Sequence, residues 1–169
     1  MSSRDDEFSD WMLARQGAMH RTAFLVCGDR HTAEDLVQTA AAKLYLAWDR
    51  VSAQGNVDAY MRRIIINERN SLWRRPFKKR ETVTDEVPES AHADGGDDPM
   101  EAERMWAAVR SLAPRQRAVI VLRYYEDLSE AAIAEILGVA PGTVKSQASK
   151  ALTALRKTIG STFDIQEQV

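Results

Sequence analysis

Residues 76–99 divide the chain before any fold can be assigned to it. Pro76, Pro88, Pro99 and Gly95-Gly96 punctuate this stretch, and large apolar side chains are scarce in it. A segment of that composition cannot bury enough apolar surface to order itself. On either side, apolar residues recur at helical spacing, and no β-alternation longer than chance is present. The expected fold is all-α: two small helical modules joined by a flexible acidic linker. The expected boundaries are residues 1–75, a linker at 76–99, a second module at 100–160 and a C-terminal tail at 161–169. Modules of roughly 60 to 75 residues sit near the lower range for independent folding, so partner binding is a candidate source of added stability.

In the first module, Phe8, Trp11, Met12, Met19, Ala23 and Val26 fit one helix face, and Gly28-Asp29 breaks the run. Thr32, with Asp35 three residues on, is a candidate start for a second helix. Leu36, Val37, Ala40, Leu44 and Trp48 form its inward stripe. Val51 to Asn56 reads as a loop, with Gly55-Asn56 as the turn. Asn56 or Asp58 can cap a third helix that runs to about Arg75, where Pro76 stops it. In the second module, Ala102, Met105, Trp106, Val109 and Leu112 share a face. Pro114 fits a first helical turn, and Val119, Ile120 and Leu122 follow as core. Ser129 can cap a short helix ending at Leu137. Gly138 breaks it, and Pro141 opens a last helix reaching about Ile159.

The formal net charge of -2 hides segments of opposite sign. Arg62 to Arg80 holds eight basic residues against one acid, Glu68. Glu81 to Glu103 holds nine acids and no Lys or Arg. Val139 to Gly160 carries Lys145, Lys150, Arg156 and Lys157 and no acid. One basic run reads most simply as a solvated helix face. Two, one in each module and separated by an acidic stretch, favour a polyanionic partner such as nucleic acid.

Several function classes are poorly supported. Cys27 is the single cysteine, so an internal disulfide framework is excluded. His20, His31 and His92 share no ligand spacing, and no Cys/His zinc cage is available. Cys27 lies in an apolar run and reads as a packing residue. There is no glycine-rich phosphate loop, paired-carboxylate site or Ser-His-Asp arrangement, so neither an enzyme nor a cofactor is expected. No apolar run is long enough for a membrane span. Met1 to Asp10 is polar and acidic, without a signal-peptide core, and a cytoplasmic location is expected.

The stretch from Leu128 to Gln147 reads as helix, tight turn at Gly138, helix. Ala132, Ile133, Ile136, Leu137, Val139 and Val144 would form the contact between the two helices, with small Ala132 permitting close approach. The second helix would expose Thr143, Lys145, Ser146, Gln147, Ser149 and Lys150 near its N-terminus, where a recognition helix enters the major groove. Lys can contact guanine or phosphate, and Gln can pair with adenine. A plain helical hairpin is the simpler alternative. Ala140 is a poor cap, so the start of this helix must be satisfied otherwise.

The third helix would bury Tyr60, Met61, Ile64, Ile65 and Leu72. Another face would carry Arg62, Arg63, Ile66, Asn67, Asn70, Trp73 and Arg74. Cations hold backbone, amides read base edges and aromatics stack on exposed bases, a combination suited to single-stranded or distorted DNA. The competing reading makes Trp73 core and Asn67 a local bridge. On the second helix, Asp35, Gln38, Thr39 and Ala42 lie opposite the apolar stripe, either as a protein-docking face or as a solvated one.

Together these residues resemble a bacterial sigma factor of the extracytoplasmic-function group in the sigma-70 family, from about Phe8 to Ile159. Ala33-Glu34-Asp35-Leu36-Val37-Gln38 is similar to that family's region 2.2, and Asp58-Ala59-Tyr60 through Asn67 to regions 2.3 and 2.4. Leu112 to Leu155 resembles region 4, most tellingly at Gly142-Thr143-Val144-Lys145-Ser146. Arg123-Tyr124-Tyr125-Glu126-Asp127-Leu128-Ser129 resembles wording of the actinobacterial SigE-like subgroup.

The resemblance implies a protein that binds core RNA polymerase and directs it to promoter DNA. The first module would dock on the clamp helices of the β′ subunit through a face including Asp35 and Gln38. It would melt the minus-10 element, holding a flipped base against the Val51 to Asn56 loop and Asn67. The second module would sit on the β flap and read the minus-35 element through Lys145, Ser146, Gln147 and Lys150. The acidic linker would run toward the RNA exit path. An anti-sigma factor clamping both modules is the kind of regulator the resemblance allows. Many members have Arg where Gln147 and Leu152 stand, which implies a weaker phosphate grip here. Only a short polar tail follows Ile159, so no added sensor domain is expected. The alternative is an independent regulator whose helix-turn-helix resembles a response-regulator output domain, with the first module serving dimerisation or sensing.

Overall fold

The computed structural model describes residues 3–74 and 98–160, with the side chains of Trp73 and Arg74 outside the described set. Every regular element among the described residues is helical. The chain divides into two compact units, one of Met1–Thr84 with Glu135–Leu137 and one of Asp85–Ala134 with Gly138–Val169. The expected linker lies outside the described residues except at its end. There Asp98 accepts from the Met100 N–H (3.0 Å), and Pro99 already opens a helix.

The first unit holds α1 (Arg4–Cys27), α2 (Arg30–Leu46), α3 (Trp48–Gln54) and α4 (Val57–Arg74). α1, α2 and α4 pack pairwise, and short α3 touches all three. Met19, Leu25, Leu36, Leu44, Met61 and Ile65 fill the interior. α1 starts with a reciprocal cap in which the Ser3 hydroxyl accepts from Asp6 N–H and the Asp6 carboxylate accepts from Ser3 N–H, both 3.2 Å.

The chain reverses at Gly28-Asp29. Gly28 adopts φ 79°, a left-handed conformation that ends α1. Asp29 then caps α2, accepting from Thr32 N–H (2.8 Å) and the Thr32 hydroxyl (2.6 Å). The expected start at Thr32 is thus corrected: Thr32 is the third helical residue, and its polar groups serve Asp29.

The expected loop from Val51 to Asn56 is also corrected. Val51 is buried and anchors α3 on the core, so the helix persists to Gln54. Gly55, at φ 81°, ends it, leaving Gly55-Asn56 as the connection. Trp48 belongs to α3 rather than α2. It is buried edge-on to Phe8 at 5.4 Å, with Trp11 6.1 Å away. Cys27 is half-buried rather than fully packed, and its thiol donates to the Asp29 carbonyl (3.2 Å).

The second unit holds α5 (Pro99–Ser111), α6 (Pro114–Ile120), the start of α7 (Glu130–Leu137) and α8 (Pro141–Ile159). α8 packs against α6 and α5. Trp106, Val109, Val119, Ile120, Leu122, Ile133 and Val144 are buried. α6 continues into a wider π-helical turn, Val121–Tyr125, closed by Glu126 N–H on the Val121 carbonyl (3.0 Å). Tyr125 meets Trp106 edge-on at 6.0 Å, and burial pushes its phenol up to about 12 despite nearby Arg117. Ser129 caps α7, accepting from Ala132 N–H (3.1 Å), and Gly138 at φ 65° ends that helix.

Burial alone would raise the Asp29 pKa. The two Thr32 hydrogen bonds and nearby His31 outweigh it and hold the carboxyl below its ordinary value of 3.8. A depressed pKa contributes stability above the unfolded value, which is lost as pH falls through the folded one. Asp29→Ala should therefore lower unfolding free energy by about 1 kcal/mol at neutral pH. In urea melts, the gap from wild type should close as pH drops below 3.8.

Candidate nucleic-acid interface

α4 is where the structure changes the expected site most. The anticipated polar stripe separates into two registers. Arg63, Asn67, Asn70 and Arg74 follow i, i+4, i+7, i+11 spacing. Arg63 and Asn67 are exposed and Asn70 is half-buried. The other register, Arg62, Ile66 and Arg69, turns toward the protein. Ile66 is 4% exposed, so its expected place on the polar face is corrected: the helix lays it against the core. The Arg62 side chain is 12% exposed and lies 4.0 Å from Asp58. The side chains of Trp73 and Arg74 fall outside the described residues.

Arg69 was missed as a buried group. It is 7% exposed, and burial draws its guanidinium pKa down, partly offset by Cys27. Its register with Ile66 was the available signal. The expected buried side of α4 holds at Met61, Ile64 and Ile65, while Tyr60 and Leu72 are half-buried.

Two ion pairs seat the start of α4 and the neighbouring α3. Arg15 of α1 grips both Asp58 oxygens, with Nε 3.1 Å from Oδ1 and Nη2 on Oδ2. Arg4 sets Nε 3.1 Å from Asp49, and its guanidinium lies 4.3 Å from the Tyr45 ring centroid. On the outer side, Arg50 donates to the Tyr60 hydroxyl (3.3 Å).

On α8, Val144, Ala148, Ala151, Leu152 and Leu155 are buried. Thr143, Lys145, Ser146, Ser149 and Lys150 are exposed and Gln147 is half-buried. All six expected residues thus share the broad outward side, and no acid interrupts it. Ala140 supplies no side-chain cap, and Pro141 has no N–H to satisfy. Leu152 is 8% exposed and lies in the core. Its departure from Arg therefore concerns packing and not the expected loss of phosphate grip. Of the residues expected between α7 and α8, Ile133, Ile136 and Val144 are buried, while Ala132, Leu137 and Val139 are half-buried.

On α2, Asp35, Gln38, Thr39 and Ala42 are all exposed on one face. Leu46 extends that face and is 82% exposed, an apolar residue that the sequence reading passed over. Its spacing of four from Ala42 and seven from Thr39 was the signal. Among the described residues, no group of three His, Cys, Asp or Glu can hold a metal ion. No described helix is long and apolar enough to cross a membrane.

Comparison with known proteins bears on both units. Residues 12–80 match the model of sigma-70 region 2, and residues 102–155 match that of sigma-70 region 4. The RNA polymerase sigma-E factor of Streptomyces coelicolor is 37% identical over 153 residues, which covers 90% of this chain and 86% of the relative. The chain belongs to the sigma-70 family. It falls in the extracytoplasmic-function group. The ECF RNA polymerase sigma factor SigL of Mycobacterium tuberculosis is 34% identical over 149 residues, covering 82% of this sigma factor and 81% of its relative. The sigma factor RpoE, solved with the anti-sigma factor NepR from Bartonella quintana, aligns with a TM-score of 0.73 at 25% identity. That alignment covers 93% of this chain and 99% of that one.

This protein is therefore an alternative sigma factor, a DNA-binding subunit that directs RNA polymerase to initiate transcription. The match over residues 12–80 sets aside the independent regulator with a dimerisation module.

Proposed function

We propose a division of labour within this sigma factor. Residues 1–75 form the minus-10 and polymerase-binding domain, 76–99 the linker and 100–160 the minus-35 domain, with 161–169 as a tail. Asp35, Gln38, Thr39 and Ala42 dock on the β′ clamp helices. An exposed face of small and polar residues suits close approach of another helix, and Leu46 adds apolar area to it.

Along α4, Arg63 grips backbone while Asn67 and Asn70 read an unstacked base, with Arg74 continuing the register. Arg62, held near Asp58, orients this surface, and Trp73 offers an aromatic group for stacking. α8 enters the major groove of the minus-35 element through Thr143, Lys145, Ser146, Gln147, Ser149 and Lys150. The observation that carries this reading is the two-sidedness of α8, apolar on one side and polar with uncompensated cations on the other. The second domain rests on the β flap, and the acidic linker follows the path used by RNA phosphates.

The protein works as a binding subunit rather than an enzyme, needs no cofactor and acts in the cytoplasm. An anti-sigma factor is a fitting regulator, since the similar RpoE was solved with one.

Two experiments test the proposal. Asn67→Ala should reduce open-complex formation, read by permanganate reactivity of melted thymines, while leaving affinity for core polymerase unchanged. Equal loss of both would contradict a base-reading role. Lys145→Ala with Lys150→Ala should weaken dependence on the minus-35 element. In filter binding of holoenzyme to promoter duplex, the slope of log affinity against log salt should fall by about 1.8 for two lost phosphate contacts. An unchanged slope would move the phosphate contacts elsewhere.

A further inference from the structure

We propose that Arg50 is a further DNA contact, gripping a phosphate of the single strand that lies along the outer face of α4. The inference rests on the reading of α4 as the minus-10 surface and adds to it a residue from a different helix.

Arg50 sits on α3 and is exposed. Its guanidinium lies 5.5 Å from the Tyr60 ring centroid and donates to the Tyr60 hydroxyl at 3.3 Å. Tyr60 in turn begins the i, i+3, i+7 series Tyr60, Arg63, Asn67 on α4. Arg50 thus joins this stripe through Tyr60, in a position that no periodicity within α4 reveals.

The local charge balance points the same way. Asp49 is the only acid of α3 and is paired with Arg4. Asp58 is the only acid in the first turn of α4, and Arg15 grips it with two N–H groups. Both carboxylates are therefore engaged by arginines of α1. Among the described residues, neither Arg50 nor Arg63 has a carboxylate partner. This leaves a cationic stretch along Arg50, Tyr60 and Arg63, facing solvent.

The chemistry selects a phosphate on a flexible strand. A guanidinium carries five N–H donors, and Tyr60 takes one. The remaining fork matches phosphate oxygens, and contact with the ring restrains its orientation before the ligand arrives. A cation beside an aromatic ring is also the pairing used by sequence-tolerant single-strand sites. Arg50 should accordingly contribute affinity without choosing a base.

The test uses the full chain bound to core RNA polymerase. The probe is a fluorescein-labelled single-stranded oligonucleotide spanning the non-template minus-10 region of a promoter that this holoenzyme transcribes. Affinity is followed by anisotropy across a salt series. Arg50→Ala should weaken binding about threefold at low salt and reduce the slope of log affinity against log salt by about 0.7. Arg50→Lys should restore the slope, since it keeps the charge. Changing the bases of the probe should leave the Arg50→Ala deficit unchanged. Core binding and thermal melting should match wild type.

Equal affinity and slope for Arg50→Ala and wild type would overturn the assignment. So would a deficit that comes with lost core binding or a lowered melting temperature, which would make Arg50 a structural residue. A deficit that varies with base sequence would overturn the phosphate role. Failure of wild-type holoenzyme to hold the strand would overturn the α4 reading itself, and Arg50 with it.

Discussion

The roll of α8 about its own axis is fixed by burial of Val144, Ala148, Ala151, Leu152 and Leu155 within a unit where that helix packs on α5 and α6. Full burial of one such aliphatic side chain larger than alanine is worth about 1.5–3 kcal/mol. Rotating the helix would expose that surface and push Lys145 or Lys150 out of water, which is costly without a partner. The apolar side therefore determines which residues α8 presents outward. The exposed side chains are ones that cost the fold little to change.

The first unit solves the same problem on α4 with a different balance. Its apolar register is broader and includes Arg62 and Arg69, whose guanidinium groups are largely covered. Asp58 in the first turn of α4 and Asp49 on α3 are engaged by Arg15 and Arg4 from α1. This pairing anchors α3 and α4 and removes negative charge from beside the outer face. These pairs are partly exposed, so each adds only about 0.2–1 kcal/mol to stability. Their larger effect is on the local field, which favours an incoming polyanion.

The long helices were legible because their apolar residues repeat often enough to define a face. α8 is the clearest case, with every expected outward residue exposed or half-buried. Several shorter features were not legible. α3 has seven residues, too few to show a period, and Gly55 marks its end rather than a loop around it. At the start of α2, Asp29 rather than the expected Thr32 is the cap. The stronger acceptor won because it collects both Thr32 donors. The burial of Arg69 runs against its charge, and its register with Ile66 was the one sign of it in sequence. The π-helical turn at Val121–Tyr125 adds a residue to one helical repeat and has no signature in apolar spacing. Arg50 became visible only when α3 was folded against Tyr60.

The central claim is that one chain couples RNA polymerase to two promoter elements through α2, α4 and α8. Run-off transcription with purified core polymerase on fragmented genomic DNA from the source organism tests it most directly. The account predicts discrete transcripts only when this protein is present, with start sites that share two spaced upstream elements. Failure to bind core, or transcripts identical with and without the protein, would contradict it.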